Sequence, residues 1–143
     1  MEDAAYKAAR EISVRTKPDD TLAVLNITSS SDNLSIQIIT WLENSLLNTG
    51  NCKIVSRQRM DAAMKEQNFG LSGYINDKSA QSIGKLVGAN IILAGDFKSV
   101  NNISYLNIQA LETETAVLIY SSSFRIRDNG SKTAETKQKP FRF

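Results

Sequence analysis

The stretch SIGKLVGANIILAGDF, Ser82 to Phe97, runs from a helical pattern straight into an unbroken apolar segment. Three glycines and a Gly-Lys pair give it the look of a phosphate loop. Such a loop needs Gly, four residues, Gly-Lys and then Ser or Thr, set between a strand and a following helix. Here Ser79 stands five residues before Gly84, Leu86 follows Lys85, and the order is helix into strand. No free helix N-terminus is left to face a phosphate. The dinucleotide pattern Gly-x-Gly-x-x-Gly is absent too, so the glycines are structural. Gly88 suits a left-handed helix C-cap. Gly84, inside the helix at a cost of about 1 kcal/mol against Ala, fits a close helix–sheet approach. Gly95 within a strand signals a bulge or another close approach.

Upstream of this stretch, Ala5, Ala8, Ala9 and Ile12 recur at helical spacing, which predicts a helix over roughly 2–15. TLAVLNI (21–27) is a continuous apolar run, the mark of a strand covered on both faces. Ser31 or Asp32 can cap a helix over about 33–48, with Leu34, Ile38, Trp41, Leu42 and Leu46 on one stripe and Gly50 in its final turn. KIVS (53–56) reads as a second strand, parallel to the first through a right-handed crossover. Ser56 caps the helix RQRMDAAMKEQ, with Met60, Ala63 and Met64 inward; the helix over about 78–87 buries Ala80, Ile83 and Val87.

Downstream the period changes. In ISYLNIQAL (103–111), Leu106, Ile108 and Ala110 alternate with Tyr105, Asn107 and Gln109, so one face of that strand is wet. AVLIYSSSFRIR (116–127) is the last strand, and VNN and ETET are short enough for hairpin turns. The expected fold class is therefore α/β (α+β mixed): one mixed sheet of about five strands, a βαβ unit followed by an antiparallel meander, with helices packed on the sheet. Residues 1–16 form an N-terminal helix packed on the domain, 17–127 the domain itself, and 128–143 a polar, flexible tail.

The composition excludes much chemistry. The 143 residues contain no histidine, which removes the commonest general base and the usual zinc ligand. The single cysteine, Cys52, has no disulfide partner and is expected to be a half-buried, inert thiol. A net charge of +2 gives no nucleic-acid footprint. No apolar run reaches the length of a membrane span, and MEDAAYKAAR lacks the apolar core of a signal peptide, which fits either a cytosolic chain or one that begins after an export signal. No catalytic, cofactor-binding or metal-binding residue is predicted, and the carboxylates Asp19, Asp20, Asp61, Glu66, Asp77 and Asp96 are assigned to solvated surface.

Two features point to a protein partner instead. Arg57 and Arg59 open a helix, where a cation gains nothing from the helix dipole. Each either bridges a carboxylate or presents itself to an acidic partner. The connection NFGLSGYIND (68–77) carries Phe69, Leu71 and Tyr74, more apolar surface than a loop requires. These side chains either plug the helix pair or form an apolar patch, with Gly70 and Gly73 letting the backbone adapt.

Together, TLAVLNITSSS, LSIQIITWLENSLLNTG, the segment from Lys53 to Phe97 and ALETETAVLIYSS resemble the family that groups the curli-export lipoprotein CsgG with the penicillin-binding-protein activator LpoB. The most specific part runs from Arg57 to Gly95. The resemblance implies a fold like the N-terminal domain of TolB and a non-catalytic role in the bacterial envelope. It further implies a periplasmic, outer-membrane-anchored lipoprotein, with an export signal and lipid-bearing cysteine upstream of Met1. The implied partner is an envelope protein such as a penicillin-binding protein. The alternative it implies is a subunit of an oligomeric outer-membrane secretion assembly. Two departures stand out: no barrel-length amphipathic hairpins, and Ala116 where relatives commonly carry Gly.

Overall fold

A computed structural model describes residues 1–67 and 77–127. The elements follow in the order α1 (Glu2–Val14), β1 (Thr21–Thr28), α2 (Asp32–Thr49), β2 (Lys53–Ile54), α3 (Arg57–Glu66), α4 (Asp77–Val87), β3 (Ile91–Val100), β4 (Ile103–Glu112) and β5 (Leu118–Arg127). Capping residues set several of these boundaries. Ser31 Oγ accepts from the Leu34 N–H and Ser56 Oγ from the Arg59 N–H, each satisfying a donor that the first helical turn leaves open. Gly50 ends α2 in the left-handed conformation at φ 67°. Gly88 ends α4 at φ 76°, and the Ala89 N–H returns to the Gly84 carbonyl at 2.8 Å in the manner of a Schellman turn.

The strands form a five-stranded mixed sheet in the order β2-β1-β3-β4-β5. β1 pairs in parallel with β2 and with β3, and β3, β4 and β5 form the antiparallel meander. Asn101 and Asn102, both at positive φ, close the β3–β4 hairpin as the two-residue turn that matches strand twist. Three features differ from the sequence reading. β2 holds only Lys53 and Ile54, Ala116 and Val117 belong to the turn before β5, and Ile39, outside the predicted stripe, is fully buried.

Two apolar layers sandwich part of this sheet. On one face α1 and α2 pack over Leu22, Val24, Ile91, Leu93, Leu106, Ile108, Ala110 and Tyr120. Four alanines of α1 (Ala4, Ala5, Ala8 and Ala9) are buried there, and their small side chains let the helix lie close. On the other face α3 and α4 cover Ala23, Leu25, Ile92 and Ala89, reaching β4 only through Leu111. The two layers are unequal. The first spans β1 to β5, whereas the second stops over β1 and the start of β3.

The glycines at 84 and 95 mark close approaches. A Cβ on Gly84 would lie 2.7 Å from both Oγ1 and Cγ2 of Thr113. A Cβ on Gly95 would run into the carbonyl oxygen of Asn107 on β4. Of the two structural readings for Gly95, close approach is the one realised; the register shift of this region lies on β1, between Val24 and Asn26.

Candidate functional site

The start of α3 is where the specific part of the sequence resemblance begins, and the structure gives its arginines framework contacts. β2 stops after Ile54, although the Val55 N–H still reaches the Leu22 carbonyl at 2.9 Å. Arg57 continues where the strand leaves off. Its Nη1 donates to the Val24 carbonyl at 3.0 Å, so a side chain satisfies a backbone acceptor in a buried strand. The same nitrogen lies 3.4 Å from Glu43 Oε2 on α2, and Nε donates to Asp61 Oδ1 at 3.2 Å. One guanidinium thus ties β1, α2 and α3. Burial pushes the Glu43 carboxyl above the usual glutamate range, against the pull of the Arg57 charge and with a further push from Asp61. Arg59 Nη2 donates to the Leu86 carbonyl at 3.0 Å, closing the last turn of α4. Of the two alternatives for Arg57, the carboxylate bridge is present; Arg59 instead caps a helix. Phe69, Leu71 and Tyr74 lie outside the described residues.

The remaining reactive groups are quiet. Cys52 is half-buried, and its thiol is pushed up by burial, with a hydrogen bond to Thr16 pulling down and Asp20 pushing up. A raised thiol is a poor nucleophile at neutral pH. Asp20 is half-exposed: burial pushes its carboxyl up, but the Asn90 amide, the Lys17 N–H and the Lys17 charge together hold it below the usual range. It accepts from Asn90 Nδ2 at 2.9 Å and from the Lys17 N–H at 2.8 Å, which fastens the start of β1 to the turn before β3. Among the described residues no group of three Cys, Asp or Glu side chains could hold a metal ion. No described helix is long and apolar enough to cross a membrane.

What sequence reasoning missed lies on the sheet. Alternation along β4 sends Leu106 and Ile108 into the α1–α2 layer, so Tyr105, Asn107 and Gln109 face the opposite way. Register then sets their neighbours. Lys98 pairs with Tyr105, and Tyr105 with Arg125, giving one row of cation, aromatic ring and cation across three strands. In the next row Asp96 accepts from Asn107 Nδ2 at 2.7 Å, with Ser123 beyond. Lys98, Gln109, Ser121, Ser123 and Arg125 are exposed, and Tyr105 is partly so. The wet face of β4 was legible in ISYLNIQAL. The row was not, because it depends on which residues of β3 and β5 stand opposite.

The β4–β5 turn carries a non-glycine residue in the left-handed region. Ala116 sits at φ 60°, a conformation that a glycine adopts without strain.

Comparison with known proteins places this architecture. A comparison with curated protein sequences gives no match. Among solved structures, the LpoB C-terminal domain from Salmonella enterica superposes with a TM-score of 0.70 at 19% identity, covering 86% of this chain and 95% of that one. LpoB from Escherichia coli gives 0.73 at 18% identity, with 85% of this chain matched to 64% of the longer protein. Lipoprotein GNA1162 from Neisseria meningitidis gives 0.58 at 15% identity, covering 84% and 87%. At these identities the likeness is one of fold. The sequence itself matches the family described as curli production assembly/transport component CsgG over residues 2–101, and the protein belongs to that family.

Proposed function

We propose that this chain is a non-catalytic binding domain of the bacterial cell envelope, of the LpoB kind, which docks on a periplasmic protein such as a peptidoglycan synthase. The observation that carries this reading is the near-complete superposition on the LpoB C-terminal domain, 95% of its length at a TM-score of 0.70. The chemistry of the chain agrees. It has no histidine, its one thiol is held protonated, and the two carboxylates brought together at Arg57 are both engaged by that guanidinium. In this reading the domain works by surface recognition, and the native protein reaches the outer membrane through a lipid anchor upstream of Met1.

The test is direct binding of the purified chain to the periplasmic region of a bifunctional penicillin-binding protein from the same organism. Saturable binding that raises glycan polymerisation is expected. Absence of binding at the highest soluble concentration would overturn the reading. The family description favours a second one, a subunit of an oligomeric secretion assembly. Light scattering decides between them, since a docking domain stays monomeric and a ring subunit self-associates.

A further inference from the structure

We propose that the helix-free face of β3, β4 and β5, centred on Tyr105 and flanked by Lys98 and Arg125, is the docking surface, and that its occupant is an acidic segment of the partner protein. This rests on the docking reading above and adds to it the surface and the chemistry it selects. Three observations carry it.

The first is geometric. The α3–α4 layer ends over β1 and the start of β3, so the row Lys98–Tyr105–Arg125 stands outside it. Directly behind that row, Phe97, Leu106 and Phe124 pack into the α1–α2 layer, so the platform is rigid from below. Side chains directly opposite on paired strands sit about 5 Å apart, close enough to act on one ligand.

The second is charge. Neither Lys98 nor Arg125 forms an ion pair with any described residue; the ion pairs found there both belong to Arg57. The carboxylate in the adjacent row, Asp96, already accepts a hydrogen bond from Asn107. Two uncommitted cations on either side of a ring make a site for carboxylates flanking an apolar group, because the ring supplies contact area and the cations fix register.

The third concerns the rival occupant, the chain's own C-terminal segment. Residues 128–143 carry Lys132, Lys137, Lys139 and Arg142 against Asp128 and Glu135. That segment has the same sign as the face, so charge favours an acidic partner over the tail.

The experiment titrates poly-L-glutamate, and in parallel phosphatidylglycerol vesicles, into the full chain while amide NMR shifts are followed. The expected result is shifts clustered at Lys98, Tyr105 and Arg125 with the polypeptide. Binding should fall at least about tenfold in K98E/R125E and decline with added salt, with the melting temperature unchanged. If the charge reversal impairs folding, K98Q/R125Q and Y105A provide the same readout. Shifts elsewhere, or an affinity unchanged in these variants, overturn the proposal. Tighter binding of the vesicles through the same residues also overturns it, since the occupant would then be a lipid surface. A penicillin-binding protein that binds wild type and K98E/R125E equally well removes this face and leaves the docking function standing. A penicillin-binding protein that fails to bind the wild type removes that function, and the polypeptide titration still decides the face.

Discussion

β1 and β4 are both interior strands, one on each side of β3, yet they meet different surroundings. β1 is buried at every residue from Leu22 to Ile27, with a helix layer on each side. β4 is buried at Ser104, Leu106, Ile108 and Ala110 but not at the residues between. β3 passes from one regime to the other: Ile91 to Leu93 are buried and Lys98 to Val100 are exposed. The difference teaches that two helices on each face cover unequal lengths of the sheet, so that one end is enclosed on both sides and the other on one. A two-sided strand holds the fold, and a one-sided strand leaves a surface free.

The sharpest way to break this comparison is at Gly95, where β3 changes regime. A methyl group there meets backbone rather than a movable side chain, so Gly95→Ala forces β3 and β4 apart. We expect a loss of about 3 kcal/mol or more, read by urea denaturation. A near-neutral result would mean that the two strands adjust freely. Next, Leu25→Ala in β1 removes a fully buried side chain and should cost about 3 kcal/mol, whereas Gln109→Ala on the open face of β4 should stay within about 0.5 kcal/mol. Equal losses would contradict the division of the sheet.

Arg57 provides a third test. Arg57→Ala leaves the Val24 carbonyl and the partly buried Glu43 carboxylate without their shared donor, with an expected cost of about 2 kcal/mol. Arg57→Lys should recover little, since an ammonium cannot span the three acceptors as a planar fork does.

The smallest effect is a pH dependence at β5. The Tyr120 hydroxyl donates to Glu11 Oε1 at 2.6 Å, and Arg15 stacks 5.4 Å from its ring. Burial, then the Glu11 hydrogen bond, pushes this phenol well above the usual tyrosine range, with Ser122 and Arg15 pulling down. A raised value keeps the folded phenol protonated after the unfolded one ionises. Its contribution is therefore complete below pH about 10 and is lost as pH rises beyond that. Tyr120→Phe should cost about 1 kcal/mol at neutral pH and should flatten the alkaline fall. An alkaline limb identical in both proteins would remove Tyr120 as its source.

Much of this was readable from residue order alone. The unbroken TLAVLNI demanded cover on both faces and the alternating ISYLNIQAL demanded water on one, and both strands behave so. Ser31, Ser56, Gly50 and Gly88 fixed helix ends because caps act within a few residues of themselves. The site was harder to read because its determinants are distant in the chain. Arg57 could be placed on a helix, but its role depends on β2 stopping after two residues. Lys98 and Arg125 stand on either side of Tyr105 only in the observed register, and a slip of one residue would turn each to the other face.

The parallel pairing of β1 with β3 also governs the order in which the chain can assemble. Every partner of β1 on that side, from Ile91 to Asp96, lies some seventy residues further along, and β2 offers only two residues in the meantime. The meander, by contrast, closes through short turns soon after each strand is made. During synthesis β1 therefore remains a largely unpaired apolar strand until most of the chain has followed it. Such a delay invites capture by chaperones or by other nascent strands. The strand that most secures the finished domain is thus the one most exposed while it is being made.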